Sequence, residues 1–316
     1  MDKDSRVNKN KNIRKEKNNK KVIDNEEVQI IKEEKNHVVL SKLPYLILII
    51  SLLFIYSKYI GTKGLDIKTY NIINENIPKS FDGFKIVQFS DLKYGSTVDI
   101  KFLHNLVKQI NKTKPDIVVF TGDLIYDNYK LSNDEIKKIE DELKKIDPLI
   151  GKYSIKGDND NNNYYQTIIN NSNFEDITNT YKLIYYKGLI PIVLYGLDSK
   201  ITGKQDFIKT FEYPNNLEDT TYMATYKILL AHEPDTINEV TDYNISLMLS
   251  GHSLNNLINI PYIKNYYTVK GAKYYFNEVY DVKKTKLYIS NGIGTNNLKL
   301  RLFNKPSISV IRLYSN

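Results

Sequence analysis

The sequence predicts an α/β fold built on mixed sheets, preceded by a charged tail and one apolar segment of membrane-spanning length. Three observations lead there. Short apolar runs rich in β-branched residues recur from residue 84 to residue 312, and several stop at an Asp or a His. A strand, a helix and a second strand follow one another within about forty residues, the spacing of a βαβ unit. The run LPYLILIISLLFIYS at 43–57 carries no charge at all.

Residues 1–42 are polar and charged in both signs, with no apolar period, and read as a disordered tail. The apolar segment at 43–60 has only Lys42 and Lys58 at its borders, and no small-residue cleavage site follows it. It therefore reads as a signal anchor rather than a signal peptide. The Lys/Arg-rich tail before it puts the N-terminus in the cytoplasm, with a single pass through the cell membrane and the rest of the chain outside. Residues 61–80 read as a stalk and 81–316 as the folded domain.

Within that domain, 84–90 (FKIVQFS) alternates as a strand and runs into Asp91-Leu92-Lys93. Apolar positions at Ile100, Leu103, Leu106, Val107 and Ile110 predict a helix over 98–112. At 115–124, PDIVVFTGDL, four apolar residues are followed by Gly122 and Asp123, as in a buried strand that presents a carboxylate at its end. A charged helix is expected over 131–146 with capping signals at Ser132-Asn133. A short strand at 152–156 meets Gly157-Asp158-Asn159-Asp160, and a helix follows at 164–171. Strands at 181–186 and 190–195 read as a hairpin around Lys187-Gly188. A weak helix is expected at 205–212, a strand at 227–231 ending at His232, and a helix at 235–240 after Pro234. The strand at 245–250 ends at Gly251-His252, and strands at 266–269, 287–290 and 307–312 complete the set. No internal repeat is present.

Composition narrows the function. Lys+Arg 45 against Asp+Glu 37 gives a net charge of +8. Much of the excess lies in the tail, and no basic patch interleaved with aromatics follows, so nucleic acid is not an expected partner. Cysteine is absent, which excludes disulfides, iron–sulfur clusters and thiol catalysis. Four His occur in the chain, and two of them, His232 and His252, stand at strand ends beside Asp91, Asp123, Asp158 and Asp160. Each residue alone also reads as a cap or turn residue. Carboxylates and imidazoles converging on one rim suit a divalent transition metal such as Mn, Fe or Zn.

The motifs SDLKYG (90–95), TGDL (121–124), KGDND (156–160), AHEPD (231–235) and SGHSLNN (250–256) stand in the order D-x-H, G-D, G-N-H-D/E, H, G-H-x-H. In that order the chain resembles the calcineurin-like metallophosphoesterases, in particular their bacterial membrane-anchored branch, from residue 81 to the C-terminus. The tail at 291–313 is also similar to that branch. The resemblance implies a four-layer α/β/β/α sandwich of two mixed sheets and hydrolysis of phosphoric esters at two metals.

It also implies a damaged site. One ion would be held in the family by residues that here are Asp91, Lys93, Asp123 and Leu254, so two imidazoles are missing and a cation stands in place of one. The other ion would be held at Asp123, Asp158, His232 and His252, all able to ligate. Asn159 takes the place of the general-acid His and cannot deliver a proton. Asn255-Asn256 replaces a Gly-Gly pair and narrows the approach of backbone to phosphate. The expectation is one divalent metal on Asp123, Asp158, His232 and His252, with Asp91 a remnant and Lys93 a counter-ion or a phosphate contact. Hydrolysis would be weak or absent, with function through binding of a phosphorylated or lipid-linked ligand. A one-metal phosphodiesterase or pyrophosphatase on lipid-linked or nucleotide-sugar substrates, and a structural ectodomain without metal, stand as alternatives. Oligomeric state is not legible.

Overall fold

The computed structural model describes Lys21 and residues 41–212, 226–260 and 268–316. Nearly all of the expected tail, and part of the strand expected at 266–269, lie outside the described residues. The chain divides into two compact units, 1–55 and 56–316. Helix α1 (Ser41–Tyr59) is the one helix among the described residues that is long and apolar enough to cross a membrane, by length and composition. Its 19 residues span about 28 Å.

The first strand of the second unit is β1 (Asp66–Asn74), inside the segment read as a stalk. Strand β2 (Phe84–Phe89) follows, then α2 (Ile100–Lys112), β3 (Ile117–Phe120), α3 (Asn133–Lys144), β4 (Gly151–Ser154), α4 (Asn163–Asn171) and β5 (Glu175–Asp176). The second half supplies β6 (Thr180–Ile184), β7 (Ile192–Gly196), α5 (Phe207–Thr210), β8 (Lys227–Leu230), β9 (Leu247–Ser250), β10 (Val279–Val282), β11 (Thr285–Ile289) and β12 (Ser307–Ser315).

Two six-stranded sheets result, in the orders β1-β12-β2-β3-β4-β5 and β10-β11-β9-β8-β7-β6. Both are mixed. In the first, β2 to β5 run parallel while β12 is antiparallel to β2. In the second, β7, β8, β9 and β11 run parallel and are flanked by antiparallel β6 and β10. Strand β3 is buried along its whole length, as a central parallel strand covered on both faces must be.

Each layer has its own apolar filling. Helices α2, α3 and α4 present Leu103, Leu106, Ile110, Ile139, Leu143, Tyr165 and Ile168 to Val87, Phe89, Val118 and Phe120 on the outer face of the first sheet. The opposite faces of the two sheets meet through Phe84, Ile86, Ile117, Val119, Ile192, Leu194, Ile228, Leu230, Leu247 and Leu249. The far face of the second sheet is covered by Phe211, Ile237, Val240 and Ile245. That fourth layer is thin. The helix expected at 235–240 is a 3-10 turn, Pro234–Glu239, and the weak helix at 205–212 shrinks to the four residues of α5. Asp235 accounts for the turn: its carboxylate accepts from the backbone N–H groups of Lys273, Tyr274 and Tyr275, which fixes the segment to a neighbouring loop.

The helix starts follow their caps. Asp99 accepts from the Phe102 N–H at the head of α2, and Ser132 with Glu135 forms a reciprocal capping box at α3. The strands that matter for chemistry, β2, β3, β4, β8 and β9, all finish at one rim because they run parallel within their sheets. Gln88 ties the two sheets together there, donating to Thr121 Oγ1 at 3.0 Å and to the Ser250 carbonyl at 2.9 Å.

Candidate metal centre

The rim collects every residue picked out from the sequence. Asp91 follows β2, Asp123 follows β3, Asp158 and Asp160 follow β4, His232 follows β8 and His252 follows β9. Asp91, Lys93, Asp123, His252 and Leu254 all adopt left-handed backbone, with φ of 50°, 43°, 65°, 64° and 53°. Strain of this kind concentrates where a fold fixes side chains for chemistry. Two glycines make the crossing possible. A Cβ on Gly122 would stand 2.4 Å from the Gly157 nitrogen, and a Cβ on Gly157 would stand 2.4 Å from Asp123 Oδ1.

The two imidazoles converge on Asp158. His232 Nε2 and His252 Nδ1 each lie 3.1 Å from Asp158 Oδ1, and the ring centroids are 5.1 Å apart. His232 Nε2 is also 3.5 Å from Asp123 Oδ1. Each ring is aimed by a backbone carbonyl on its other side. His232 Nδ1 is 2.6 Å from the Thr121 oxygen, and His252 Nε2 is 2.7 Å from the Lys270 oxygen. A ring whose far nitrogen donates to a carbonyl keeps its near nitrogen free to ligate, the usual outer-shell arrangement of metal-bound histidines.

Asp123 has its Oδ2 filled and one lone pair left on Oδ1. Its Oδ1 accepts from the Asn159 N–H at 2.9 Å, and its Oδ2 accepts from Asn159 Nδ2 at 2.7 Å and from the Lys93 ammonium. Lys93 Nζ stands 3.9 Å from Asp91 Oδ1 as well. That Asp91 oxygen is buried and accepts no hydrogen bond among the described residues, while Oδ2 accepts from the His252 N–H at 3.0 Å. Leu254 fills the space beside Asp91: a Cβ on Gly292 would lie 2.3 Å from Leu254 Cδ2 and 2.9 Å from Asp91 Cβ.

The charges shift one another accordingly. Burial opposes ionisation of Asp123, but Lys93 and then His232 hold its carboxyl well below the usual range. Burial likewise opposes the Lys93 ammonium, and Asp123, then Asp91, keep it protonated well above its ordinary value. Despite burial, the hydrogen bonds from His232 and His252 hold Asp158 far below an ordinary carboxylate. Both rings are raised by the surrounding carboxylates against the pull of burial.

Asp160 is a brace. It accepts from the N–H groups of Asp123 (2.7 Å), Leu124 (2.8 Å) and Gly157 (2.8 Å), while burial and then the Asp123 charge push it up to about 6. Asp160→Ala would orphan three buried donors in the turn that presents Asp123. A stability loss of about 3–5 kcal/mol is expected in denaturant titration. A wild-type midpoint would show that the turn holds without it.

Sequence reasoning missed a second brace. Arg301 is wholly buried and forms no ion pair among the described residues; its guanidinium donates to the carbonyls of Asn291, Gly292, Gly294 and Asn304. Burial draws it down to about 9, which leaves it charged at neutral pH. It shapes the loop that carries Gly292 and Gly294 against Asp91 and Lys93. Asn304 works beside it, donating to the carbonyls of Leu254, Asn255 and Asn256. Asn255 and Asn256 keep φ of 45° and 54°, a left-handed path that Asn tolerates better than most residues. A cleft of about 770 Å³ opens over the site, walled largely by Leu254, Leu257, Val269, Ala272, Phe276 and Leu298.

The calcineurin-like phosphoesterase family model matches residues 84–256, a span that holds all five motifs. The chain belongs to the calcineurin-like phosphoesterase family. It is 32% identical over 264 residues to the uncharacterized metallophosphoesterase YkuE of Bacillus subtilis, covering 82% of this chain and 89% of that protein. A transmembrane protein with a metallophosphoesterase domain from Danio rerio is 24% identical over 265 residues, 76% of this chain and 55% of that one. The UDP-2,3-diacylglucosamine pyrophosphatase LpxG of Chlamydia muridarum is 25% identical over 291 residues, 75% of this chain and 86% of that one.

Calcineurin-like phosphoesterases use divalent metals, and among the described residues two groups of donor atoms lie within 4.8 Å of one another: Asp158, His232 and His252, and Asp91, Asp123 and His232. The first group fits an ion, with two aimed nitrogens and a carboxylate oxygen. The second fits poorly, because the Lys93 ammonium already occupies Asp123 and faces Asp91. With neutral rings, Asp91, Asp123, Asp158 and Lys93 together leave two negative charges, which one divalent ion balances.

Proposed function

We propose that this chain is a membrane-anchored phosphoesterase-family protein with a single divalent ion, held by Asp123, Asp158, His232 and His252, in which Lys93 stands in for the second ion. The ion would supply Lewis-acid polarisation of a phosphoryl oxygen. The observation that carries this reading is the Lys93 ammonium seated on Asp123 and facing Asp91, with Leu254 filling the space alongside.

The remaining chemistry follows from the side chains present. Lys93 offers a point charge to a phosphoryl oxygen at the floor of the cleft. Asn159 is engaged by Asp123 and has no proton to give a leaving group. Loss of a general acid costs about 10²–10⁴-fold when the leaving group is a poor one. The protein therefore binds phosphoryl ligands and turns them over slowly, least slowly where the leaving group departs as a stable anion. A phosphoanhydride meets that condition. The relative named as a UDP-2,3-diacylglucosamine pyrophosphatase supports this second, catalytic reading. The apolar helix Ser41–Tyr59 and the Lys/Arg-rich tail support a single pass with the N-terminus in the cytoplasm and the folded body outside.

The test uses the full chain in detergent with Mn²⁺. Inorganic phosphate should bind in calorimetry only when Mn²⁺ is present, and His252→Ala should abolish that binding. Hydrolysis of bis(4-nitrophenyl) phosphate should run far below the roughly 10 s⁻¹ of a typical enzyme. Turnover at that ordinary rate would contradict the single-ion reading.

A further inference from the structure

The last turn of α1, residues 56–59, belongs to the second unit and packs on the loop that Arg301 organises. The Arg301 N–H donates to the Ser57 carbonyl at 2.9 Å. Gly61 lies so close that a Cβ there would stand 2.0 Å from the Arg301 carbonyl oxygen, and the Tyr56 ring is 6.2 Å from that of Phe303. The same loop is bonded to one wall of the cleft. The Leu302 N–H donates to the Leu257 carbonyl at 2.8 Å, and the Asn259 N–H donates to the Leu302 carbonyl at 2.9 Å. Residues 56–61, 257–259 and 298–303 thus form one continuous ledge beside the cleft, whose lining includes Leu257, Ile258 and Leu298.

The ledge has an unusual surface. Tyr59, Ile60, Leu298 and Phe303 are exposed, Leu298 by 63% and Phe303 by 51%. Lys58, Lys63, Lys299 and Lys305 are exposed around them. No Asp or Glu occurs at 56–65, 251–260 or 291–306. Lysines ringing exposed apolar and aromatic side chains are the pattern of a surface that sits in the head-group region of an anionic leaflet.

We infer that this ledge rests on an anionic lipid bilayer, the one that α1 enters. Chain continuity carries the choice of occupant. The apolar run ends at Tyr59, so Tyr59 to Gly61 stand at the hydrocarbon boundary. Whatever is hydrogen-bonded to Ser57 and packed on Gly61 lies at the same level. Leu257, Ile258 and Leu298 line the cleft and belong to the ledge, so the cleft opens along the lipid surface. The inference rests on the membrane reading of α1 and is independent of the metal.

The chain contains no Trp, so a single Trp reports its own position. Full-length Leu298→Trp, Phe303→Trp, Ile50→Trp and Leu149→Trp are reconstituted into phosphatidylcholine–phosphatidylglycerol nanodiscs with acyl chains brominated near the head group. Leu149 is 72% exposed just before β4, at the opposite end of the strands from the cleft. Leu298→Trp and Phe303→Trp should lose roughly half or more of their emission, while Leu149→Trp stays unquenched. Adding Lys299→Glu and Lys305→Glu to Leu298→Trp should reduce the quenching. Quenching of Leu298→Trp and Phe303→Trp no greater than that of Leu149→Trp overturns the inference and leaves the ledge to a protein partner. Ile50→Trp, at the middle of α1, is read instead with acyl chains brominated near their ends, and absence of its quenching overturns the inference as well, through the membrane reading of α1.

Discussion

Lys93→Met is expected to lose about 3–5 kcal/mol of stability in EDTA, the cost of leaving a buried charge without its partner. The substitution keeps an apolar stem of similar length and removes only the ammonium. Asp123 loses the cation on its Oδ2, and Asp91 loses the ammonium 3.9 Å from its Oδ1. Mn²⁺ should then act differently on the two proteins. Wild type has one group of donors free of Lys93, whereas the variant opens the pair Asp91–Asp123 to a second ion. Each site filled at a hundred times its dissociation constant adds roughly 2.7 kcal/mol. The variant should therefore recover more stability from Mn²⁺ than wild type gains. The measurement is the denaturant midpoint of each, with EDTA and with Mn²⁺. A variant as stable as wild type in EDTA would show that Lys93 does not neutralise the pair.

The second large effect is a gain. Lys93→His, Asn159→His and Leu254→His combined should bind a second equivalent of Mn²⁺ and raise hydrolysis of a phosphodiester by about 10²–10⁴-fold, the contribution typical of a general acid alone. The backbone favours the exchange. Positions 93 and 254 lie at φ of 43° and 53°, where His occurs several-fold more often than residues such as Leu. Leu254 already touches the space beside Asp91, so an imidazole there is within reach of its carboxylate. Calorimetry with Mn²⁺ and an initial-rate assay, both on the full chain in detergent, read the two outcomes. A well-folded triple variant that takes up no second ion would refute the assignment of these positions.

Much of this site was legible because a buried parallel strand has a simple signature. IVVF at β3 is an uninterrupted apolar run closed by Gly and Asp, and β8 and β9 end in the same abrupt way at His232 and His252. The α2 and α3 faces were equally plain, since Leu103, Leu106 and Ile110, or Ile139 and Leu143, recur at helical spacing. Strand β1 was not, because it lies at a sheet edge. Its Ile67 and Ile73 stay exposed, so DIKTYNIIN shows no clean buried face, and its partner β12 is more than two hundred residues away in sequence.

The parts of the site that escaped the sequence are those made by backbone. The carbonyls of Thr121 and Lys270 aim the two imidazoles, and any residue type would supply them. Arg301 and Asn304 act on carbonyls as well, so nothing in their spacing sets them apart from surface polar residues. Lys93 was legible as a departure from D-x-H, but only the fold shows that its ammonium turns inward onto Asp123 rather than outward to solvent.

The central claim is that one ion, not two, belongs at this rim, and its position is the most direct measurement. Anomalous diffraction from crystals of the full chain grown with Mn²⁺ should place a single ion within ligating distance of Asp123 Oδ1, Asp158, His232 and His252, with the Lys93 ammonium still on Asp123 Oδ2. Two ions, or one ion beside Asp91 with Lys93 displaced, would contradict the account.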